Sequence, residues 1–337
     1  YCLYIMKLLD GGFGHAWKER HGGCDFLGGC EANATRPETV IELHEAYFEA
    51  TKDFDSYATT NSFVATPYHL ARRSSNDDAY LSLVTAAGGC ARAAASSSKR
   101  RFVAGCLPPL GECYACREPN KDDVRTYALI AGALGENADV LLAETLSSTA
   151  EAVAAVTAAS QGAKPLWCSF TLADDGSTRL RSGEPLQAAL LNVLETARLE
   201  SVALEAIGVN CCSPHAVDAA LSTLLAVANG TILEVLVYAN GFKTTTSEWL
   251  QTVGRPDCAE AAAAGAAERT TAIAQYDADG LITPASYAAF ARRWRVSTTR
   301  VSFLLTTVCV TSLLPSRIAG RRSSAAAAAS ASTTCAQ

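Results

Sequence analysis

Short apolar runs alternate with longer amphipathic stretches through roughly the first 240 residues of the chain. The runs that read as strands are Ile5–Asp10, Phe54–Thr60, Phe102–Cys106, Asp139–Glu144, Leu166–Phe170, Ala206–Asn210 and Glu234–Tyr238. Each is short and mainly apolar, the pattern of a buried strand rather than an exposed one. The stretches between them carry helix starts. Thr35 and Glu38 form a capping-box pattern around Pro37, ahead of Val40, Leu43 and Tyr47 on one face. Ser148 and Glu151 repeat the box, and Ser213-Pro214 offers an N-cap followed by proline at the first helical position.

Strand, helix, strand, helix predicts an α/β fold with a parallel sheet and right-handed crossovers. A doubly wound sheet would place a glycine-rich phosphate turn after the first strand, but Asp10-Gly11-Gly12-Phe13-Gly14 lacks the G-x-G-x-x-G spacing. Polar or special residues instead close nearly every strand: Asp10, Asn61, Glu144, Cys211 and Asn240. A barrel collects its active site at that end, so a (β/α)8 TIM-type barrel is expected. Its eighth strand is doubtful, because the rhythm is lost from Val296 and residues 323–334 hold only Ser, Ala and Thr. The expected organisation is a barrel over residues 1–295 and a low-complexity or misread tail over 296–337.

Composition narrows the partners. With 49% hydrophobic and 18% charged residues in 337, the chain can fill a sizeable core. A net charge of −6 argues against a nucleic-acid partner, whose phosphates require a basic face. No apolar run reaches the roughly 18 residues a membrane span needs, so no membrane association is expected. The 13 cysteines are scattered, odd in number and follow no secretory signal. They are expected to be reduced, mostly buried side chains of a cytoplasmic protein.

Gly208-Val209-Asn210-Cys211-Cys212-Ser213-Pro214 puts a thiol between a buried strand and a capped helix. From the residues alone it can bind zinc, act as a nucleophile or pack, and one strand end supplies one or two of the ligands zinc requires. His15, His21, His44, His69 and His215 show no metal spacing and read as surface or helix residues. Cys113-Tyr114-Ala115-Cys116 has C-x-x-C spacing without a second such pair, and Cys24 and Cys30 are equally unpartnered in sequence.

Taken in order, these segments resemble the homocysteine S-methyltransferase family. Leu8-Leu9-Asp10-Gly11-Gly12-Phe13-Gly14 is similar to its opening signature, and Thr59-Thr60-Asn61-Ser62-Phe63 to its second-strand signature. Ala104-Gly105-Cys106-Leu107-Pro108-Pro109-Leu110-Gly111-Glu112 resembles the third-strand loop, with Cys106 where serine is usual. Leu142-Ala143-Glu144-Thr145 and Gly208-Val209-Asn210-Cys211 complete the set, which runs from about Leu8 to Trp294. The resemblance implies that Cys211 is a zinc ligand and the centre of catalysis. Zn2+ would keep the homocysteine sulfur a thiolate, ready to take a methyl group from a sulfonium donor and give methionine. S-methylmethionine, S-adenosylmethionine and betaine are the candidate donors. Glu144 and Asp10 would bind the homocysteine amino group, with Asn61 and Asn240 at the same mouth, although turn-forming explains both asparagines equally well.

One family element is missing. The other two zinc ligands are adjacent cysteines in a Gly-Gly-Cys-Cys-Gly run at the eighth strand, and no such run follows Trp294, where Cys309 and Cys335 are isolated. Ser324–Ala329 can be written as that motif's codons read one base out of frame; an ordinary low-complexity tail explains it equally well. An incomplete zinc site makes a non-catalytic barrel that binds an amino acid or a partner the alternative. A metal-free lyase is a third reading, for which Lys7, Lys164 and Lys243 are poorly placed.

Overall fold

The computed structural model describes residues 7–10, 12–21, 28–71, 79–117, 120–241, 275–276, 282–296 and 301–303. Ile5, Cys24, Lys243, Cys309, Cys335 and the Ser/Ala/Thr run of 323–334, all singled out in the sequence, lie outside these residues. The strands are β1 (Lys7–Leu9), β2 (Asp55–Thr59), β3 (Arg101–Leu107), β4 (Val140–Leu146), β5 (Leu166–Phe170), β6 (Leu204–Asn210) and β7 (Glu234–Tyr238). Each pairs in parallel with the next in chain order, without the reversal of a doubly wound sheet.

The sheet is curled. Laid flat, β1 and β7 would stand roughly 29 Å apart at the usual strand spacing. Lys7 Nζ on β1 nevertheless lies 2.9 Å from Glu234 Oε2 on β7 and sits over the Trp167 ring of β5, 5.6 Å from its centroid. Leu9, Tyr57, Ala104, Leu142, Trp167, Ala206 and Leu236, one from each of the seven strands, join in a single interior cluster. Beyond Val296, where the sequence rhythm fails, Val301–Phe303 runs parallel to Val235–Val237 of β7.

The helices are α1 (Phe13–His21), α2 (Gly28–Thr35), α3 (Pro37–Ala50), α4 (Pro67–Ala71), α5 (Ala79–Ala95), α6 (Asp123–Leu134), α7 (Thr149–Ala159), α8 (Leu186–Leu199), α9 (Pro214–Ala228) and α10 (Pro284–Val296). A larger apolar cluster joins buried residues of β3–β7 to α5–α10, so most strands are covered by helices on their outer face. Two expected caps hold: Ser148 Oγ accepts from Glu151 N at 3.2 Å and Ser213 Oγ accepts from Ala216 N at 3.2 Å. The box at Thr35 does not form. Thr35 is the last residue of α2, its hydroxyl donates back to Glu31 O at 3.0 Å, and Arg36 becomes the N-cap of α3. The reason is local, since the residue before Pro37 is kept out of the helical region by the proline ring.

Gly208 lets β6 and β7 come together. A Cβ there would collide with the Leu236 carbonyl oxygen across the pair, so only glycine is accommodated.

Candidate active site

The C-terminal ends of β1, β2, β4, β6 and β7 hold the side chains that the sequence singled out. Asp10 follows β1 directly. Its Oδ1 accepts from Thr59 N at 2.6 Å, tying it to the end of β2, and its Oδ2 lies 2.9 Å from His44 Nδ1 on α3. Glu144, near the end of β4, is 7% exposed and accepts a hydrogen bond from Tyr238 Oη on β7 at 2.7 Å. Burial pushes the Glu144 carboxyl above the ordinary glutamate range, hydrogen bonds from Tyr238 and Cys106 pull it back, and the nearby Asp10 charge pushes it up again. The curl of the sheet thus brings two carboxyl groups from β1 and β4 to one mouth.

Cys211 is the first residue beyond β6. It keeps partial exposure, packs on the interior cluster from one side and meets the cluster of Cys113 and Tyr114 on the other. Its backbone is left-handed at φ 50°, as are Thr145 at φ 60° and Tyr114 at φ 68°. Non-glycine residues held there cost about 1–3 kcal/mol each and gather at functional sites. Hydrogen bonds hold them in place. Asn210, fully buried, accepts from Thr145 N at 2.8 Å and Ser169 Oγ at 2.5 Å, and donates to Thr145 Oγ1 at 2.7 Å. Thr171 Oγ1 and Asn240 Nδ2 both donate to the Cys211 carbonyl, at 3.1 and 2.9 Å.

Burial, and then the Glu144 charge, push the Cys211 thiol up to about 11, against hydrogen bonds from Thr145, Tyr114 and Asn210. Cys212 is fully buried in the large cluster outside the sheet, among residues such as Leu172 and Ala216, so neighbours in sequence occupy different environments. Of the eight described cysteines, Cys30, Cys90, Cys106, Cys113, Cys168 and Cys212 are buried, Cys116 is exposed and none is in a disulfide.

A tetrahedral zinc centre requires three or four ligands. Among the described residues no group of three His, Cys, Asp or Glu side chains converges as a metal site. The described residues by themselves therefore fall short of the ligand set a zinc centre needs.

The sequence-selected residues part company in their environments. Asn240 lies beside Cys211. Asn61 faces helix α2, where its amide donates to Gly29 O at 2.6 Å and Asn33 Oδ1 at 3.3 Å, while Asn33 donates to Asn61 O at 2.8 Å. Sequence reasoning missed His44, Tyr238, Asn210 and Tyr114. His44 carried a usable signal, because it falls on the Val40–Leu43–Tyr47 face of α3 and is wholly buried there. Tyr114 carried none, since only the folded loop brings it to Cys211.

A curled parallel sheet of α/β construction, with two carboxyl groups and a thiol at its C-terminal mouth, defines the class: an α/β fold whose half-barrel sheet is consistent with a TIM-type barrel. Residues 7–298 match the family model for homocysteine S-methyltransferase, and the chain belongs to that family. It is similar in structure to the homocysteine methyltransferase MmuM from Escherichia coli. The metallated form superposes with a TM-score of 0.66 at 20% identity, covering 94% of this chain and 97% of that one. The oxidized form gives a TM-score of 0.64 at 20% identity over 92% and 95%. At this identity the structural likeness is one of fold.

Proposed function

We propose that this chain transfers a methyl group from a sulfonium donor, S-methylmethionine or S-adenosylmethionine, to homocysteine, giving methionine. The observation that carries the reading is the convergence of Asp10 and Glu144 at the mouth where Cys211 sits. Two carboxyl groups from different strands suit one ammonium group, whose positive charge favours the ionised form of Glu144 against the effect of burial. The apolar stem of homocysteine would lie against the interior cluster with its sulfur toward Cys211, and Asn240 would line the same mouth. Asn61 enters the reading as a residue that fixes the β2 end against α2. In the reaction the homocysteine sulfur forms a bond to the donor methyl carbon, the donor's carbon–sulfur bond breaks, and the thiol proton leaves to solvent. The donor departs as a neutral thioether, itself methionine when the donor is S-methylmethionine.

Cys211 is the proposed zinc ligand on the family pattern. It is the one such ligand among the described residues, so no step here runs through the metal. We read the sheet as a (β/α)8 barrel whose first seven strands lie within residues 1–295 and whose eighth is Val301–Phe303, with the rest of 296–337 a tail, and the protein as cytoplasmic. The alternative is a barrel that binds an amino acid or a partner without turnover.

Glu144→Gln separates amino-group recognition from mere packing, because glutamine keeps the size and still accepts from Tyr238. Isothermal titration should show homocysteine binding weakened about 10- to 100-fold, the range for a hydrogen bond to a charged partner. Unchanged affinity would remove Glu144 from the site.

A further inference from the structure

His44 is buried to 0% of its surface in the wall between α3 and the strand ends, a costly place for an imidazole unless it is bonded. It makes one polar contact there, Nδ1 to Asp10 Oδ2 at 2.9 Å, and its Nε2 is buried without a hydrogen-bond partner among the described residues. A carboxylate oxygen can only accept, so Nδ1 carries the hydrogen and the tautomer is set by Asp10. Phe13 packs on the ring with centroids 5.0 Å apart, leaving the imidazole little room to turn. The other carboxylate oxygen is held by Thr59 N at 2.6 Å. Asp10 is thus clamped at both oxygens, from α3 and from the end of β2, and its side chain is only 4% exposed.

We propose that His44 is a positioning residue for the amino-group subsite: its Nδ1–H fixes the Asp10 carboxylate at the end of β1, and so sets selectivity for a substrate with an α-ammonium group. The inference rests on the reading of Asp10 and Glu144 as the ammonium subsite. A residue that supports packing alone would weaken every ligand alike. A residue that aims a carboxylate weakens the ligand bearing the ammonium and spares the one lacking it.

The test is isothermal titration of the full chain with L-homocysteine and with 4-sulfanylbutanoate, the same molecule without its amino group. The affinity ratio of the two is the readout. His44→Leu should lower that ratio about tenfold, the loss of one charge-assisted hydrogen bond. His44→Asn places an amide N–H near the Nδ1 position and should restore most of the ratio. His44→Gln places its amide nearer Nε2 and should not. If His44→Leu does not fold by circular dichroism, the Asn and Gln variants carry the comparison. A wild-type protein that binds homocysteine no better than the analogue would overturn the ammonium subsite itself, and with it this inference. A wild-type preference that survives unchanged in His44→Leu, or equally in the Asn and Gln variants, would overturn the role of His44 while leaving the subsite standing.

Discussion

At the scale of single residues, the site is a set of polar groups whose positions are over-determined. Asn210 spends its side chain on Thr145 and Ser169, and the Cys211 carbonyl receives two donors, so the left-handed turns at 145 and 211 are held from several sides. Cys211 has the more testable chemistry. Because burial raises its thiol to about 11, it is protonated at neutral pH in the metal-free protein. Its alkylation by iodoacetamide, resolved from Cys212 by fragment mass spectrometry, should be slow at pH 7 and keep rising beyond pH 9, toward a midpoint near 11. A plateau by pH 8 would mean that the thiolate is stabilised by something the described neighbours do not supply. Asp10, Glu144 and Cys211 were legible in sequence because each closes a predicted strand and stands in a family motif. Tyr114 was not, because its partner comes from another strand end, and of His44 only the burial was legible, not the pairing with Asp10 34 positions away. Asn61 shows the opposite limit: a strand-end asparagine whose side chain serves α2.

Elements were more legible than contacts. Leu166–Phe170 and Glu234–Tyr238 form as the apolar pattern reads, while β4 extends two residues past the expected end, carrying Thr145 and Leu146 into the strand. Periodicity cannot mark such an end, because every residue of the strand is buried and none alternates with solvent-facing positions. The Thr35 cap failed for a reason visible in sequence, the proline two residues on. Strand spacing was not visible, and Gly208 controls it. Gly208→Ala must part β6 from β7 at the carbonyl of Leu236, whereas the Cβ of Gly105→Ala would meet the Leu134 Cδ1 methyl at 2.8 Å and the Ala138 Cβ at 3.0 Å. The first should cost more than about 3 kcal/mol and the second about 1–3, compared by urea denaturation. Equal costs would show that the β6–β7 approach is looser than the packing implies.

For the whole molecule, the parallel order followed from the alternation of strand and helix, the curl from the polar residues that close the strands, and the family match runs over residues 7–298. What alternation could not provide is the helix α10, whose Trp294 is buried and donates to Asp218 Oδ1 on α9 at 2.7 Å, or the pairing of Val301–Phe303 with β7. Both depend on contacts with elements far back in the chain. The mouth of this fold holds two carboxyl groups and a thiol, and the family chemistry is methyl transfer to homocysteine. The most direct measurement is therefore incubation of the full chain, with zinc supplied, with homocysteine and S-methylmethionine labelled with 13C in its sulfonium methyl groups. Mass spectrometry then follows the label. Wild type is predicted to form methionine by joining the labelled methyl to the homocysteine skeleton, and Cys211→Ala to form none above the uncatalysed rate. Homocysteine bound but never methylated by the wild-type chain would contradict the transferase and leave a barrel that only binds the amino acid.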